Sequence, residues 1–385
     1  QIANTTDVLI DSSGLLDFGV YYDTFDELAG SGNIIFGVLG YVDIGANNGS
    51  STWDGVASGP GFAGGYTMRK LGTGTITFNG DNTFLNQTRV DNGAIIINGD
   101  QPQSPLLVNG GTAGGTGTVG DIRCLANLSP GASPGLLTCS NVAFTSSGDF
   151  FVDLTGPTPG TGYDQLNVRG TNNLSGAVLH LTTAFTTPVA VGQQFTIIDN
   201  DGVDAITGTF NGLAEGASIT AGFYSFTISY TGGTANDVVL TLTNVPSASV
   251  NGLAGITLGN GNGNIDPNEC NYLSVVITNR TATPMTGVSA VLSSITSGVT
   301  VTDPLAGYPD VAGNGQGTNS SPFQISTTPG FVCGTDVNLL LSVTTASHGA
   351  FAVPVTLHSG STAFLPVRYD NNTVTNITDI GTIES

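Results

Sequence analysis

The segment from residue 259 to residue 269 has the side chains best suited to hold a metal ion. Five of its residues offer side-chain oxygens at short spacing: Asn260, Asn262, Asn264, Asp266 and Glu269. Calcium takes about 6–8 hard oxygen ligands, and this segment could supply several of them together with backbone carbonyls. Only two of the five residues are carboxylates, and an Asx-rich turn without a metal is the alternative. Calcium is the only cofactor that the sequence suggests.

A second acidic segment, residues 199–204, is a weaker candidate for the same ion. Asp199, Asp201 and Asp204 place three carboxylates close together, beside a glycine that favours a turn. Carboxylates at such spacing can ligate calcium. A solvated turn between two strands explains the same residues, so both interpretations stay open.

Catalytic chemistry has little support in the sequence. Glycoside hydrolysis requires two positioned carboxylates, and Asp23, Asp26 and Glu27 form a cluster of that kind. An acidic chain produces such clusters freely, however, and the three histidines have no metal-ligand spacing. We therefore expect no enzymatic activity. A polysaccharide-cleaving enzyme is kept only as a third alternative.

The four cysteines form two pairs along the sequence, Cys124 with Cys139 and Cys270 with Cys333. No CxxC motif and no Cys/His cluster occurs, which argues against metal or redox chemistry. We predict two disulfides, formed in an oxidising compartment. The first would close a loop of about fifteen residues and contribute about 3 kcal/mol in the chain-entropy model. The alternative is that either pair stays reduced.

The composition predicts an all-β protein with almost no helix. Charged residues make up only 9% of the 385 residues, against about 25% in ordinary soluble domains. Glycine is abundant, at 56 residues, and Thr, Ser and Asn fill most polar positions. Such polar residues favour turns, and the Val, Ile and Phe that accompany them favour strands. The apolar content of 39% is enough to bury a sizeable core.

The charge balance excludes several classes of partner. The chain has 28 acidic and 7 basic residues, for a net charge of −21. Nucleic-acid binding requires basic residues that displace phosphate counterions, so no nucleic-acid partner is expected.

No run of about 18 apolar residues occurs, so no membrane insertion is expected. The start at Gln1, without a leader, fits signal-peptide removal or trimming. We expect an extracellular protein at the cell surface.

From residue 71 the strand pattern becomes regular. Short alternating segments recur at roughly ten-residue spacing and end in Asn-Gly or Gly-Gly turns. Adjacent short strands with tight turns and a continuous apolar interior are typical of a stacked solenoid, the parallel β-helix. A β-sandwich gives similar strand spacing, so the periodicity alone leaves both architectures open.

The same region resembles the passenger-repeat region of bacterial autotransporter-type proteins. The matching stretches follow one another in order between residues 71 and 243: GTGTITF (72–78), GGTGTVG (114–120), LSPGASPGLLT (128–138), YDQLNV (163–168), FTIIDNDG (195–202) and YTGGTANDVVL (230–240). The resemblance implies a right-handed β-helix that ends in a wider β segment. It also implies display at the cell surface. Members of that family normally continue into a C-terminal outer-membrane barrel, whereas here a different kind of unit follows.

Residues 246–360 are predicted to form an immunoglobulin-like β-sandwich. About a hundred residues with seven or so alternating strands and polar turns fit that fold. The segment also resembles the Ig-like accessory modules of secreted bacterial proteins, which open with a Gly-Asn-Gly-Asn…Pro-x-Glu stretch like that at 259–269. The predicted organisation is a β segment over 1–70, a β-helix over 71–245, the sandwich over 246–360 and a tail over 361–385.

The two ends of the chain are predicted to serve in assembly. The apolar residues concerned are Val8, Leu9 and Ile10 near the start, and Val374, Ile377, Ile380 and Ile383 in the tail. A terminal segment of one subunit could add as a strand to its neighbour, and a contact of this kind that does not close gives an open filament. We therefore expect an extracellular structural protein that binds copies of itself head-to-tail.

A surface adhesin or glycan-binding accessory module is the alternative function. Glycan binding would need aromatic side chains exposed on one face of the solenoid, and the candidates are Tyr21, Tyr22, Tyr41 and Trp53. Aromatic residues are usually part of the hydrophobic core, which is the simpler explanation for these four.

Overall fold

The computed structural model describes residues 2–61, 64–131, 134–185, 189–202, 204–222, 224–245 and 247–360. These residues form strands and turns without a helix, so the all-β prediction is confirmed. In the described part of the chain, no helix is long and apolar enough to cross a membrane. The chain divides into two compact units, Gln1–Val245 and Pro246–Ser385.

The first unit is built around a nine-stranded sheet in which every neighbouring pair is parallel. Its strands follow the order β1 (Val8–Ile10), β4 (Leu28–Gly30), β7 (Ser51–Trp53), β10 (Thr75–Phe78), β12 (Ala94–Ile97), β14 (Thr112–Gly115), β16 (Asn127–Pro130), β19 (Asp149–Leu154) and β22 (Val178–Thr183). Neighbours in the sheet are separated along the chain by other strands. This is the arrangement that a solenoid produces.

Those other strands form two further parallel sheets. One consists of β3 (Tyr22–Phe25), β6 (Tyr41–Ile44), β9 (Tyr66–Lys70), β11 (Gln87–Val90), β13 (Leu106–Val108), β15 (Ile122–Cys124), β18 (Val142–Phe144) and β21 (Asn172–Asn173). The other consists of β2 (Leu15–Gly19), β5 (Asn33–Phe36) and β8 (Ala57–Ser58). The predicted parallel β-helix-like solenoid is therefore confirmed.

Alternation of side chains along each short strand creates the interior of the solenoid. In β10 and β12, Ile76 pairs with Ile95 and Phe78 pairs with Ile97. All four side chains are buried, whereas the residues between them face outward. Hydrogen bonds between successive coils here join residues 18 or 19 apart. Each coil thus contains two of the ten-residue strand-and-turn units seen in the sequence.

A column of glycines, Gly55, Gly80, Gly99 and Gly117, stacks at one turn of successive coils. A Cβ atom on Gly80 would lie 1.9 Å from the carbonyl oxygen of Gly55, and one on Gly99 would lie 2.3 Å from that of Gly80. Such distances are far inside van der Waals contact, so only glycine allows the coils to approach this closely. The high glycine content follows in part from this stacking.

The solenoid ends in a wider, partly antiparallel sheet. Its order is β17 (Leu136–Cys139), β20 (Gln165–Val168), β23 (Gln194–Asn200), β26 (Asp237–Asn244), β25 (Tyr224–Gly232) and β24 (Ser218–Ala221). The pairs from β17 to β23 are parallel, and those from β23 onward are antiparallel. Within the described part of this unit, strands pair in the antiparallel direction only in this last sheet, so the two ends of the solenoid differ.

The second unit contains two antiparallel sheets that share one hydrophobic core. The first is β27 (Ala248–Leu258), β28 (Cys270–Asn279), β33 (Phe323–Thr327) and β30 (Val299–Asp303), with β32 (Gln316–Thr318) also paired to β28. The second is β31 (Leu305–Gly307), β29 (Ser289–Ser294), β34 (Asp336–Thr345) and β35 (Gly349–His358). The immunoglobulin-like assignment of this unit stays a prediction.

Residues 1–70 differ from the separate β segment predicted for them. The strands β1, β4 and β7 lie in the nine-stranded sheet and β3, β6 and β9 in the eight-stranded sheet, both of which continue after residue 71, whereas β2, β5 and β8 form the three-stranded sheet by themselves. The stacked coils therefore begin at Val8 rather than near Leu71. The early coils are longer, as the pairing of Gly30 with Trp53 shows, and this irregular length hides their periodicity in the sequence.

Candidate functional site

The first coil, residues 8–25, has a position that no other coil has. Its three strands β1, β2 and β3 each lie at the end of a parallel sheet. Within the described part of the chain, no strand pairs with their outer edges. An unpaired strand edge presents backbone N–H and C=O groups that can bind another strand.

Large apolar side chains are exposed on the first two coils. Leu9 is 71% exposed and Leu15 is 59% exposed. Other exposed apolar or aromatic residues of the first two coils are Val20, Tyr21, Tyr22, Ile35, Val38 and Leu39. Scattered exposed apolar residues are normal on a protein surface, but a concentration of them marks an interaction site.

A pocket of ≈ 460 Å³ opens in the same coil. Its lining residues are Ile2, Leu16, Asp17, Phe18, Tyr21, Tyr22 and Asp23. The backbone amide of Ile2 donates to Asp23 Oδ2 at 2.6 Å, which fixes the segment before β1 against β3. The pocket thus combines apolar walls with two carboxylates.

The predicted assembly residues near the start of the chain belong to this coil. Val8, Leu9 and Ile10 form β1, in which Val8 pairs with Leu28 of β4. Ile10 is buried in the core of its own unit, while Leu9 points outward. This strand is already part of the fold, so it is placed to receive a strand rather than to be donated.

The predicted assembly residues of the tail, Val374, Ile377, Ile380 and Ile383, lie outside the described residues.

Stacked tyrosines extend along the sheet that contains β3, β6 and β9. The rings of Tyr22 and Tyr41 stack with centroids 4.7 Å apart and planes within 2° of parallel. Tyr66 meets Tyr41 edge-on at 5.3 Å. The guanidinium of Arg69 lies 4.8 Å from the Tyr66 ring centroid and makes a bidentate ion pair with Asp43. Burial, followed by the Asp43 carboxylate, raises the pKa of Tyr66 to about 12.

The four aromatic candidates for glycan contact divide between surface and core. Tyr21 and Tyr22 are exposed, and Tyr41 is partly buried. Trp53 is fully buried, where its Nε1 donates to the carbonyl oxygen of Gly32 at 3.1 Å. Trp53 is therefore a core residue and not a ligand contact.

All four cysteines are free thiols, which corrects the prediction of two disulfides. Cys124 and Cys139 are buried on β15 and β17, in two different sheets. Burial raises the pKa of the Cys124 thiol to about 12 and that of Cys139 further. Cys270 is exposed at the start of β28, and Cys333 lies with its Sγ 3.8 Å from Asp266 Oδ1.

The predicted calcium segment forms a compact loop before β28. Three of its glycines adopt positive φ angles, at positions 259, 261 and 263. Asn260 Oδ1 accepts the backbone amide of Asn262 at 2.9 Å, and Asn262 Oδ1 accepts that of Asn264 at 2.7 Å. Two consecutive Asx turns therefore curve the backbone of the loop, which also contains the carboxylates of Asp266 and Glu269.

The carboxylates of Asp266 and Glu269 hold the loop together. Asp266 Oδ2 accepts from Nδ2 of Asn260 at 3.0 Å and of Asn262 at 2.7 Å. Glu269 accepts the backbone amides of Asn260 at 2.8 Å and Asp266 at 3.1 Å. Among the described residues, neither carboxylate forms an ion pair with Lys, Arg or His. The loop therefore gathers negative charge without a protein cation.

Asn271, two residues into β28, contributes a feature that the sequence did not reveal. Its side chain is fully buried, and its Oδ1 has no hydrogen-bond partner. Its Nδ2 donates to Glu269 Oε2 at 3.3 Å, which places the amide against the loop. Only its position behind the loop, known from the structure, identifies it.

The weaker candidate segment, 199–204, is organised by amide groups. Nδ2 of Asn236 donates to the backbone carbonyls of Asp201 at 3.2 Å and of Asp204 at 3.2 Å. Burial, followed by Asp237, raises the pKa of Asp199. The contacts found here are those of a turn capped by a side chain, and a calcium site at Asp199, Asp201 and Asp204 stays a prediction.

A third acidic cluster brings Asp7 beside Asp26 and Glu27, with carboxylate oxygens within 4.8 Å of one another. The sequence places Asp26 and Glu27 together, but Asp7 lies one coil earlier. Asp26 Oδ1 accepts the backbone amides of Asn47 at 2.8 Å and Gly49 at 2.9 Å. These hydrogen bonds join two coils, which explains the buried carboxylate structurally.

Comparisons with known proteins do not assign the chain to a family. No family model matches it, and no curated protein matches it. The resemblance to autotransporter passenger repeats therefore depends on the sequence motifs, with which the parallel strand stacks are compatible.

Proposed function

We propose that this chain is an extracellular structural protein, a subunit of a bacterial surface filament assembled head-to-tail by strand addition. The supporting observation is the first coil, whose three strands end three sheets and whose surroundings are apolar. A strand added beside β1 would continue the ladder that β1 already forms with β4. Main-chain hydrogen bonds supply the affinity in this mode of recognition.

The first coil lacks two common protections against strand addition, basic side chains and prolines. Proteins commonly place Lys or Pro on exposed strand edges. Residues 1–25 contain no Lys, Arg or Pro. The one lysine of the chain, Lys70, is buried, and its Nζ donates to the backbone carbonyls of Leu71 and Gly72. It therefore cannot protect an edge.

The proposed occupant is the C-terminal segment, residues 361–385, of a second copy. Its stretch TVTNIT, residues 373–378, combines Thr with Val374 and Ile377, residue types with high strand propensity. Six residues exceed the three of β1 and the five of β2. Because the donor and the acceptor are different segments of the chain, the contact is heterologous and would repeat into an open filament.

Two complementary variants test this proposal. Leu9→Lys adds a charge to the acceptor edge but leaves the tail intact, whereas a chain ending at residue 360 keeps the edge but has no tail. The matched control is Ile295→Lys, because Ile295 is 73% exposed in the second unit. Filaments are imaged by negative-stain electron microscopy, oligomers are measured by sedimentation velocity, and circular dichroism checks the fold.

The unaltered chain and the Ile295→Lys control should form filaments, and each of the two variants alone should stay monomeric. A mixture of the two should stop at one-to-one dimers, since one partner supplies only a tail and the other only an edge. A monomeric unaltered chain at all concentrations, or undiminished filaments from either variant, would show the proposal to be wrong.

The stacked tyrosines favour a second candidate function, a glycan-binding surface module. Aromatic faces pack against sugar rings, and Tyr22 exposes 60% of its surface at the end of the stack. A glycan array with the unaltered chain, Tyr22→Ala and the control Tyr272→Ala tests it. Binding that only Tyr22→Ala removes supports this function, and the absence of any bound glycan contradicts it.

A further inference from the structure

The buried carbonyl of Asn271 indicates that the loop 259–269 is incomplete without a ligand. A buried polar atom without a hydrogen bond destabilises the folded state, and native proteins keep few of them. Asn271 is fully buried, yet its Oδ1 has no partner among the described residues. An oxygen left in this state, beside the carboxylate of Glu269, suits a cation.

The position of Gly259 shows where such a cation has access. A Cβ atom on Gly259 would lie 2.8 Å from Asn271 Oδ1 and 2.8 Å from Glu269 Oε2. Two oxygens from different residues thus converge on one space, which the missing side chain leaves open. Gly259, Asn260, Asp266 and Glu269 also line one surface pocket, through which an ion can enter.

From this geometry we propose that Glu269, Asp266 and Asn271, with oxygens of the loop 259–264, bind one calcium ion. The pocket lining includes the carboxylates of Asp266 and Glu269 and the amide of Asn260, whose oxygens are ligands that calcium prefers, together with the thiol of Cys270. The two carboxylates supply negative charge that no neighbouring protein cation among the described residues neutralises. A magnesium ion would demand a stricter octahedral geometry than calcium does. The amides of Asn260 and Asn262 now donate to Asp266, and rotation of either amide would present its oxygen instead.

The loop is anchored to the body of the second unit through Thr327 of β33. Thr327 Oγ1 donates to the backbone carbonyl of Asp266 at 2.5 Å and accepts the backbone amide of Glu269 at 2.9 Å. An ion held by Asp266 and Glu269 would therefore also stabilise the β28–β33 pairing. This proposal does not depend on filament assembly.

Calcium binding is tested by isothermal titration calorimetry on the full chain after dialysis against a chelator. We expect one site per chain, with a Kd of about 10⁻⁴–10⁻³ M, as in extracellular modules. Glu269→Gln should weaken binding roughly tenfold or more, because it removes a ligand charge. Asp303→Asn, which neutralises an exposed carboxylate on β30 of the same unit, should leave binding unchanged.

A second measurement guards against loss of folding in the variants. Calcium should raise the melting temperature of the unaltered chain and of Asp303→Asn, while magnesium at the same concentration should have a smaller effect. No saturable calcium binding by the unaltered chain would overturn the proposal. Binding that Glu269→Gln retains but Asp26→Asn loses would also overturn it, because the ion would then lie at the Asp7, Asp26 and Glu27 cluster.

Discussion

The backbone amide of Gly135 donates to Asp164 Oδ1 at 2.7 Å, in the interior of the solenoid. Asp164 Oδ2 accepts a second backbone amide, that of Asp153, at 2.9 Å. The Asp164 carboxylate is almost completely buried, and burial raises its pKa to about 6 despite these two hydrogen bonds, which lower it. One side chain thereby connects the loop before β17 with β19.

The raised pKa of Asp164 predicts a loss of stability as the pH increases. Between about pH 4 and pH 6 the folded state keeps a proton that the unfolded chain releases, so the free energy of unfolding falls through this window. A shift of this size corresponds to about 3 kcal/mol. Relative to Asp164→Asn, the unaltered chain should lose about that amount between pH 4 and pH 7, as measured by denaturant unfolding. The exposed Asp100→Asn variant is the control, and an equal loss in Asp164→Asn would contradict the prediction.

Gly80→Ala should destabilise the solenoid, because its Cβ would lie 1.9 Å from the carbonyl oxygen of Gly55. Overpacking of this kind costs about 1–3 kcal/mol, and backbone atoms cannot move aside as a side chain can. Scanning calorimetry of the full chain measures the effect. Gly307→Ala is the control, since a Cβ there has no atom within 4 Å. Equal melting temperatures for Gly80→Ala and the unaltered chain would be inconsistent with the stacked column.

Trp53 should report on the first unit alone. It is the only tryptophan, it is fully buried, and it packs edge-on against Phe78 at 5.8 Å. Its fluorescence should be blue-shifted in the native protein and should shift to the red when the first unit unfolds. Calcium should leave this transition unchanged while it raises the melting temperature followed by circular dichroism. A native emission like that of free tryptophan would contradict the burial.

The thiols should differ in reactivity according to their burial. Iodoacetamide should label the exposed Cys270 in the native protein and leave Cys124 and Cys139 unmodified, because the thiolate is the reactive form and burial raises its pKa. After denaturation without reductant, mass spectrometry should find all four cysteines labelled. Fewer than four labels under that condition would restore the disulfide prediction.

The regular part of the solenoid was predictable because local rules decide it. The alternation of Ile76 and Phe78 with threonines predicts that the Ile76 and Phe78 side chains face inward. The glycines that follow mark the turns. In the early coils, the register between Gly30 and Trp53 depends on loop length, which no periodic pattern records. Whether Val8–Ile10 is a free segment or the first strand is decided by tertiary pairing.

The sequence predicted only some of the residues of the candidate calcium site. The oxygen-bearing residues from Asn260 to Glu269 lie within a single ten-residue stretch and could be found from the sequence alone. Asn271 looks like an ordinary strand residue, because its burial and its unpartnered oxygen exist only after β28 and β33 have paired. The pairing predicted for Cys124 and Cys139 failed for a related reason, since tertiary folding places β15 and β17 in different sheets.

The nine-stranded sheet also fixes a physical dimension. Hydrogen-bonded strands lie about 4.8 Å apart, so its eight steps span roughly 38 Å. Ala94 pairs with Thr112, so residues 94–111 amount to one complete step. Duplicating that stretch would lengthen the solenoid by one strand spacing and leave both of its ends unchanged. In a filament built from such solenoids, the distance between subunits could therefore change in steps of one strand spacing, through gain or loss of one coil of sequence.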